Sequence, residues 1–447
     1  MSSKLTCLKE LPKLDRRSVG PHRYRALGDK VLVTGDAGHY AFLSPGEYRA
    51  YLRGMDEGHP RFEELRLKGF IRHYMEFDLI ASEALESSLL SWEGAKNHVV
   101  FLERGGVRMD PDTAREAVDF IFTVPGPVVQ IEMVAGDVDA CWPAVWLLVR
   151  YARRRAEWNS RLLRLWLRTG PEGPEPKKLK FLLDHSVGLR VAFDGAAGPG
   201  RKPAWRRKVS EARRRAEDMP MPRALLRVAA RTTRPRAWVE HWKSLGCGSV
   251  RLAPSPELLD EGRLEPFLDF YARALDRMIA EPEPALREEW AAAFLRRVPP
   301  EAHLPREERG GPLPGHDVVG ELAYSPEGGI FTNSNGLDLA RKDMPVFKLG
   351  IVEKTAYEEF PDKDLVRLSL AALEGAHQPL CFHCAYKPYC AVAPSQNMLA
   401  QGSFWGQIPS SPHCAAQMGV LDILFERLKR PRSREVLLEW THQWSYL

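Results

Sequence analysis

Three cysteines stand within ten residues, CFHCAYKPYC at positions 381–390, and a fourth, Cys414, follows a Gly/Pro/Ser-rich stretch. Cys381, Cys384, Cys390 and Cys414 supply enough thiolates to close a 4Fe-4S or 2Fe-2S cluster, or to enclose a tetrahedral Zn(II). None of these arrangements leaves an open coordination position for catalysis. Cys-x2-Cys pairs occur in both kinds of site, so the spacing leaves iron-sulfur and zinc open. His383 and His413 adjoin these cysteines and could replace a ligand or tune a bound group; the plainer reading is a pair of loop histidines. Cys7, Cys141 and Cys247 are scattered singly and lack the neighbouring His and carboxylate that a nucleophile needs, so they read as incidental thiols and no catalytic residue is assigned.

Around this cluster the chain shows an ordered series of elements. KVLVTGDAGHYAFL reads as two strands about Gly35-Asp36-Ala37-Gly38, and Ser44-Pro45-Gly46-Glu47 then starts a helix with a capping-box Ser and Glu. From about residue 97 six strand-helix alternations follow, beginning with HVVFLERG and MDPDTAREAVDFIF and ending with SVRLAP and a long helix to about residue 280. That rhythm predicts an α/β fold with a parallel sheet curved into a partial (βα)6 barrel, whose ligands would sit at the carboxyl ends of the strands. The Pro/Gly/charge-rich VPPEAHLPREERGGPLPGHD reads as a connector to a third region. There ELAYSPEGGIF forms a hairpin and a helix runs from about Ala415 to Leu428.

With 447 residues the chain has room for several domains, and its charge of +5 permits an acidic partner without requiring one. The runs RKPAWRRKVSEARRR and YARRRAEW fall on helices and lack a recognition motif, so an exposed basic face is expected and a nucleic-acid partner is not. No apolar run is long enough to span a bilayer, and the first residues lack a signal-peptide pattern, which predicts a cytoplasmic protein without a membrane partner.

The order of parts, with Cys381-x2-Cys384-x5-Cys390, Tyr386-Lys387-Pro388-Tyr389 and GQIPSSPHCAAQMGVLDILFERL, resembles the radical SAM maturases with a SPASM domain, most closely those of the His-Xaa-Ser peptide systems. The resemblance implies a winged-helix-like peptide-recognition module at 1–80, a barrel of radical SAM type at 90–300, and a SPASM-like metal-binding domain at 311–447. It also implies that the four cysteines hold one auxiliary 4Fe-4S cluster, with Zn as the alternative.

The family's catalytic loop, Cys-x3-Cys-x2-Cys after the first barrel strand, is missing: FLERG runs directly into GVRMDPDTAREAVDF. Ala135-Gly136-Asp137 stands where the family has Gly-Gly-Glu, Asp194-Gly195 reads as a turn, and Ala393 fills the position of a cysteine of a second auxiliary cluster. The expectation is a degenerate homologue, a pseudoenzyme that does not bind S-adenosylmethionine and serves as the peptide-binding or partner subunit of an active maturase. A cluster-independent enzyme in the barrel mouth and a structural metal-stapled component are the alternatives. Peptide capture would use an open strand edge at Val31 and Val33.

Overall fold

The computed structural model describes residues 11–87, 94–95, 97–200, 203–215, 220–281, 286–298, 317–373, 375–378, 380–390 and 392–442; Cys7 and nearly all of the expected connector at 298–317 lie outside them.

The first module pairs three antiparallel strands, β1 (Arg23–Leu27), β2 (Lys30–Thr34) and β3 (Tyr40–Leu43), in that order. Helices α1 (Pro45–Leu52), α2 (Phe62–Leu67) and α3 (Phe77–Ser87) follow. Ser44 and Glu47 form the anticipated capping box of α1. Period-2 alternation gives the sheet two apolar faces. Val31, Val33, Ala41 and Leu43 pack with Tyr48, Tyr51 and Leu65 in the module's own core. Leu27, Leu32 and Tyr40 join the main core on the other side, where Tyr40 meets Phe425 edge-on with ring centroids 5.3 Å apart.

The two-strand hairpin thus gains a third strand, and this corrects the expected open edge. Val31 and Val33 lie on the central strand, bonded on both sides and 1% and 0% exposed. A proline there would remove a ladder donor inside a core instead of blunting an edge.

The second sheet has ten strands. Its parallel series is β4 (Asn97–Phe101), β7 (Val128–Val134), β8 (Leu162–Thr169), β9 (Val187–Asp194), β10 (Arg223–Val228), β11 (Ser249–Pro254) and β12 (Arg287–Glu288). A small hairpin, β5 (Glu103–Arg104) and β6 (Val107–Arg108), stands between β4 and its helix. The crossovers carry α4 (Pro111–Thr123), α5 (Trp142–Trp158), α6 (Pro176–Asp184), α7 (Trp205–Arg215), α8 (Pro235–Leu245), the short α9 (Pro256–Asp260) and α10 (Glu265–Ile279).

Because neighbouring strands follow chain order, each right-handed crossover places its helix on the same face. Leu165, Leu167, Leu189, Val191, Leu226 and Leu252 are buried beneath those helices. Six strand spacings separate β11 from β13 (Glu321–Tyr324), roughly 29 Å in a flat sheet. The carboxylate of Glu321 nonetheless helps to hold the Arg251 guanidinium charged. No pairing joins β12 to the far edge, and the barrel remains open among the described residues.

The third region is continuous with this sheet. After α11 (Glu289–Leu295), β13 pairs in parallel with β4, and β14 (Gly329–Phe331) and, following α12 (Ser334–Ala340), β15 (Lys348–Ile351) extend the sheet antiparallel. Helices α13 (Asp364–Leu373), α14 (Pro394–Gln401), α15 (Pro412–Leu428) and α16 (Pro431–His442) complete the chain, the last unanticipated. A bidentate Arg427–Asp276 pair, at 2.9 and 2.8 Å, ties α15 to α10.

Candidate metal centre and barrel mouth

Consecutive tight turns carry the first three cysteines. Cys384 N–H donates to the Cys381 carbonyl, Lys387 N–H to that of Cys384, and Cys390 N–H to that of Tyr386. Tyr386 and Tyr389, fully buried, anchor these turns against Phe425 of α15, with centroids 5.5 and 5.0 Å away. Cys414 lies in the first turn of α15, its N–H capped by Ser411 Oγ. The positive end of that helix favours a thiolate there.

All four cysteines line one cavity of about 50 Å³. Burial and the neighbouring thiols push Cys381 up to about 12 and Cys414 up to about 11, and Cys390 well above its ordinary value. Half-buried thiols lining one cavity resist ionisation at Cys381, Cys390 and Cys414; a bound cation would reverse that sign. Among the described residues no three His, Cys, Asp or Glu side chains converge as a single-ion site requires.

Ala393 lines the same cavity as N-cap of α14, and His413 lines it too, its pKa lowered by burial. Gln417, one turn beyond Cys414, accepts from Cys390 Sγ at 2.7 Å; the helical spacing from Cys414 was the signal that could have singled it out. Arg25 of β1 had no such signal. It forms a bidentate pair with Asp422, both contacts 2.7 Å, and its charge draws the Cys414 thiol downward against burial.

Beside this cavity a cleft of about 500 Å³ separates the first module from the cysteine segment. Met75, Phe77, Ile80 and Phe382 supply apolar walls; Arg23, Asp36 and Lys387 supply charge. Asp36 pairs with Arg23 at 2.8 Å and Lys387 at 3.1 Å. Cys390 lines both the cleft and the cysteine cavity. Phe77 is 54% exposed on α3.

At the carboxyl end of β4 the hairpin β5–β6 turns at Gly105-Gly106, both at positive φ, as a two-residue turn of the type glycine favours. A Cβ at Gly105 would strike the Arg341 guanidinium. Arg104 of this hairpin pairs with Asp338 and lies over the Phe101 ring. Asp137 spends its carboxylate on the N–H groups of Asp139 and Ala140, and Asp194 accepts from Ala196 N–H, so both are local turn residues. Cys141 and Cys247 are buried singly and pushed up to about 11 and about 12 by burial. On the basic α7, Arg207 is 86% exposed as expected, whereas Arg153 and Arg155 of α5 are half-buried.

No family model and no curated protein matches the chain. Among solved structures it shares its fold with anSMEcpe with bound AdoMet (TM-score 0.54, 11% identity), covering 77% of this chain and 99% of that one. The peptide-bound form, native anSMEcpe with bound AdoMet and Kp18Cys peptide, matches at TM-score 0.55 and 11% identity over 76% of this chain and 99% of that one. The fold is therefore a mixed α/β architecture with a large parallel sheet, as in radical SAM/SPASM structures. No helix of the described residues is long and apolar enough to cross a membrane.

Proposed function

We propose that this protein is a non-radical relative of the radical SAM/SPASM peptide-modifying enzymes, which binds a peptide and keeps one auxiliary-type 4Fe-4S cluster on Cys381, Cys384, Cys390 and Cys414. The observation that carries the reading is the sharing of Cys390 between the cysteine cavity and the cleft beside the first module. A peptide seated in that cleft would bury the Phe77 and Ile80 surface, and its charged groups would meet Arg23, Asp36 and Lys387. The first module would act as the winged-helix-like recognition unit and the third region as the SPASM-like domain. Peptide-bound anSMEcpe, similar in fold, lends support to a peptide ligand.

The donor set suits the cluster in kind: four thiols line one cavity, as many as a fully ligated cluster needs. When bound, such a cluster supplies a redox-capable or structural centre with all its irons ligated. The chain's own part is to hold the thiolates, through the Tyr386 and Tyr389 anchors, the start of α15, and the Arg25 charge. Cysteine-free residues 97–140, with a closed hairpin after the first barrel strand, support the absence of S-adenosylmethionine chemistry.

The test is anaerobic purification with iron, sulfide and zinc assayed together, followed by reductive incubation with S-adenosylmethionine and a pull-down with peptides encoded beside the protein. Four irons and four sulfides per chain, no 5'-deoxyadenosine, and peptide retention lost in Phe77→Asp are expected. Stoichiometric zinc would overturn the cluster assignment, and 5'-deoxyadenosine above a protein-free control would overturn the non-radical reading. Peptide retention unchanged in Phe77→Asp would reject the cleft.

A further inference from the structure

The face of the parallel sheet away from the helices carries a row of arginines. Arg168 of β8, Arg190 of β9 and Arg223 of β10 are direct register partners on adjacent strands. Like charges so placed repel each other. Glu132 offsets part of this by pairing with both Arg168 and Arg190. Glu289 pairs with Arg190 at 3.3 Å and accepts from Ser249 Oγ at 2.8 Å, and Arg223 stacks on the Trp166 ring at 3.6 Å.

One layer nearer the carboxyl ends, the register places Ala192, Leu225 and Arg251 side by side, followed by Asp194, Arg227 and Ala253. The helix-facing positions between these are sealed, with Val191, Leu226 and Leu252 all 0% exposed. By contrast Ala192, Leu225, Arg251 and Ala253 are partly exposed and Arg227 is exposed, so solvent reaches this layer above the arginine row. Among the described residues neither Arg227 nor Arg251 makes an ion pair; Asp194, beside Arg227, is turned to its own loop, and Arg251 lies over the Trp290 ring. Burial and neighbouring arginines lower Arg251, and they lower Arg223 to about 9. An excess of buried positive charge is costly unless an anion completes it.

We propose that the solvent-open sheet face carrying Arg227 and Arg251, at the carboxyl ends of β10 and β11, binds a carboxylate-bearing ligand. Planar guanidinium groups on adjacent strands suit bidentate capture of carboxylate oxygens. The carboxylates could belong to a small polycarboxylic acid or to acidic side chains of a peptide, and the site reads the same group in both. Its position where a parallel sheet normally presents ligands agrees with this use.

The test is calorimetry of the full chain with citrate, with a hexa-aspartate peptide and with inorganic phosphate, at constant ionic strength set by chloride. Saturable binding of citrate or the aspartate peptide, weakened at least tenfold by Arg227→Gln/Arg251→Gln and unchanged by Arg207→Gln on exposed α7, is expected. Citrate alone binding would assign a small acid, and the peptide alone an acidic segment; either result supports the site. Urea unfolding checks the variant: removing two crowded positive charges should leave the midpoint unchanged or raise it. Failure of both carboxylate probes to saturate, binding of phosphate alone, or undiminished binding in the folded double variant would each overturn the proposal.

Discussion

The cysteine cavity and the uncovered sheet face lie at opposite extremes of how a fold carries a site. Around the cysteines the backbone is nearly all turns, and order comes from side chains: buried tyrosines, a helix start and an arginine borrowed from the first module. On the sheet the backbone is regular and its hydrophobic stability resides on the other face, beneath the helices. A strand's alternate positions are thus uncoupled, and the lining of the mouth can change from one chemistry to another while Leu165, Leu189, Leu226 and Leu252 keep the frame intact. In the turn-built region the four cysteines are interleaved with the residues that order the backbone, so a change in either set disturbs the other.

The largest break should come at the turns. Replacing Cys384 and Cys390 together by Ala is expected to release all bound metal and to make residues 375–415 sensitive to limited proteolysis, because a loop with few regular hydrogen bonds depends on its ligands for order. Metal retained at full stoichiometry in that variant would reject the four-cysteine site.

On the sheet, Glu289→Ala should cost about 3–5 kcal/mol in urea unfolding, since Arg190 would lose a buried partner. A pH series sharpens the point. Arg168 and Arg190 hold Glu132 down at about 2 despite its burial, against an ordinary 4.5. Its folded pKa is depressed, so its contribution to stability is present above pH 4.5 and is lost as the pH falls toward 2.

Glu288, next to Glu289, has the opposite sign. It accepts from Tyr271 Oη and Ala291 N–H, both at 2.7 Å, and burial raises it to about 7. The folded state therefore binds its proton more tightly, and stability should decline as the pH rises from 4.5 to 7. Glu288→Gln, which keeps a neutral acceptor, is expected to flatten that decline in pH-dependent unfolding; an unchanged slope would assign it elsewhere.

The smallest effect is expected from Ala393→Cys. It adds a thiol to the cavity wall without the other ligands that a second cluster needs, so iron and sulfide per chain should remain unchanged. A doubled iron content would mean that the chain retains a latent second site.

Sequence by itself determined the features that arise from short-range patterns. The four-cysteine spacing, the capping box at Ser44 and Glu47, the hairpin turn before Gly329 and the six strand-helix alternations were all legible, because ligand spacing, caps and hydrophobic period act within a few residues. It missed β1, whose RYRAL carries three polar or amphipathic residues in five, since its arginines point to partners on the far tail, Asp36 aside. The central position of β2 then overturned the open-edge reading of Val31 and Val33. Only the tertiary structure decided that β13 continues the parallel sheet, that Cys390 borders a cleft of the first module, and that arginines dispersed from 168 to 251 fall on one face of the sheet. Register and cross-sheet proximity are set by pairings between strands distant in the chain, and no local period encodes them.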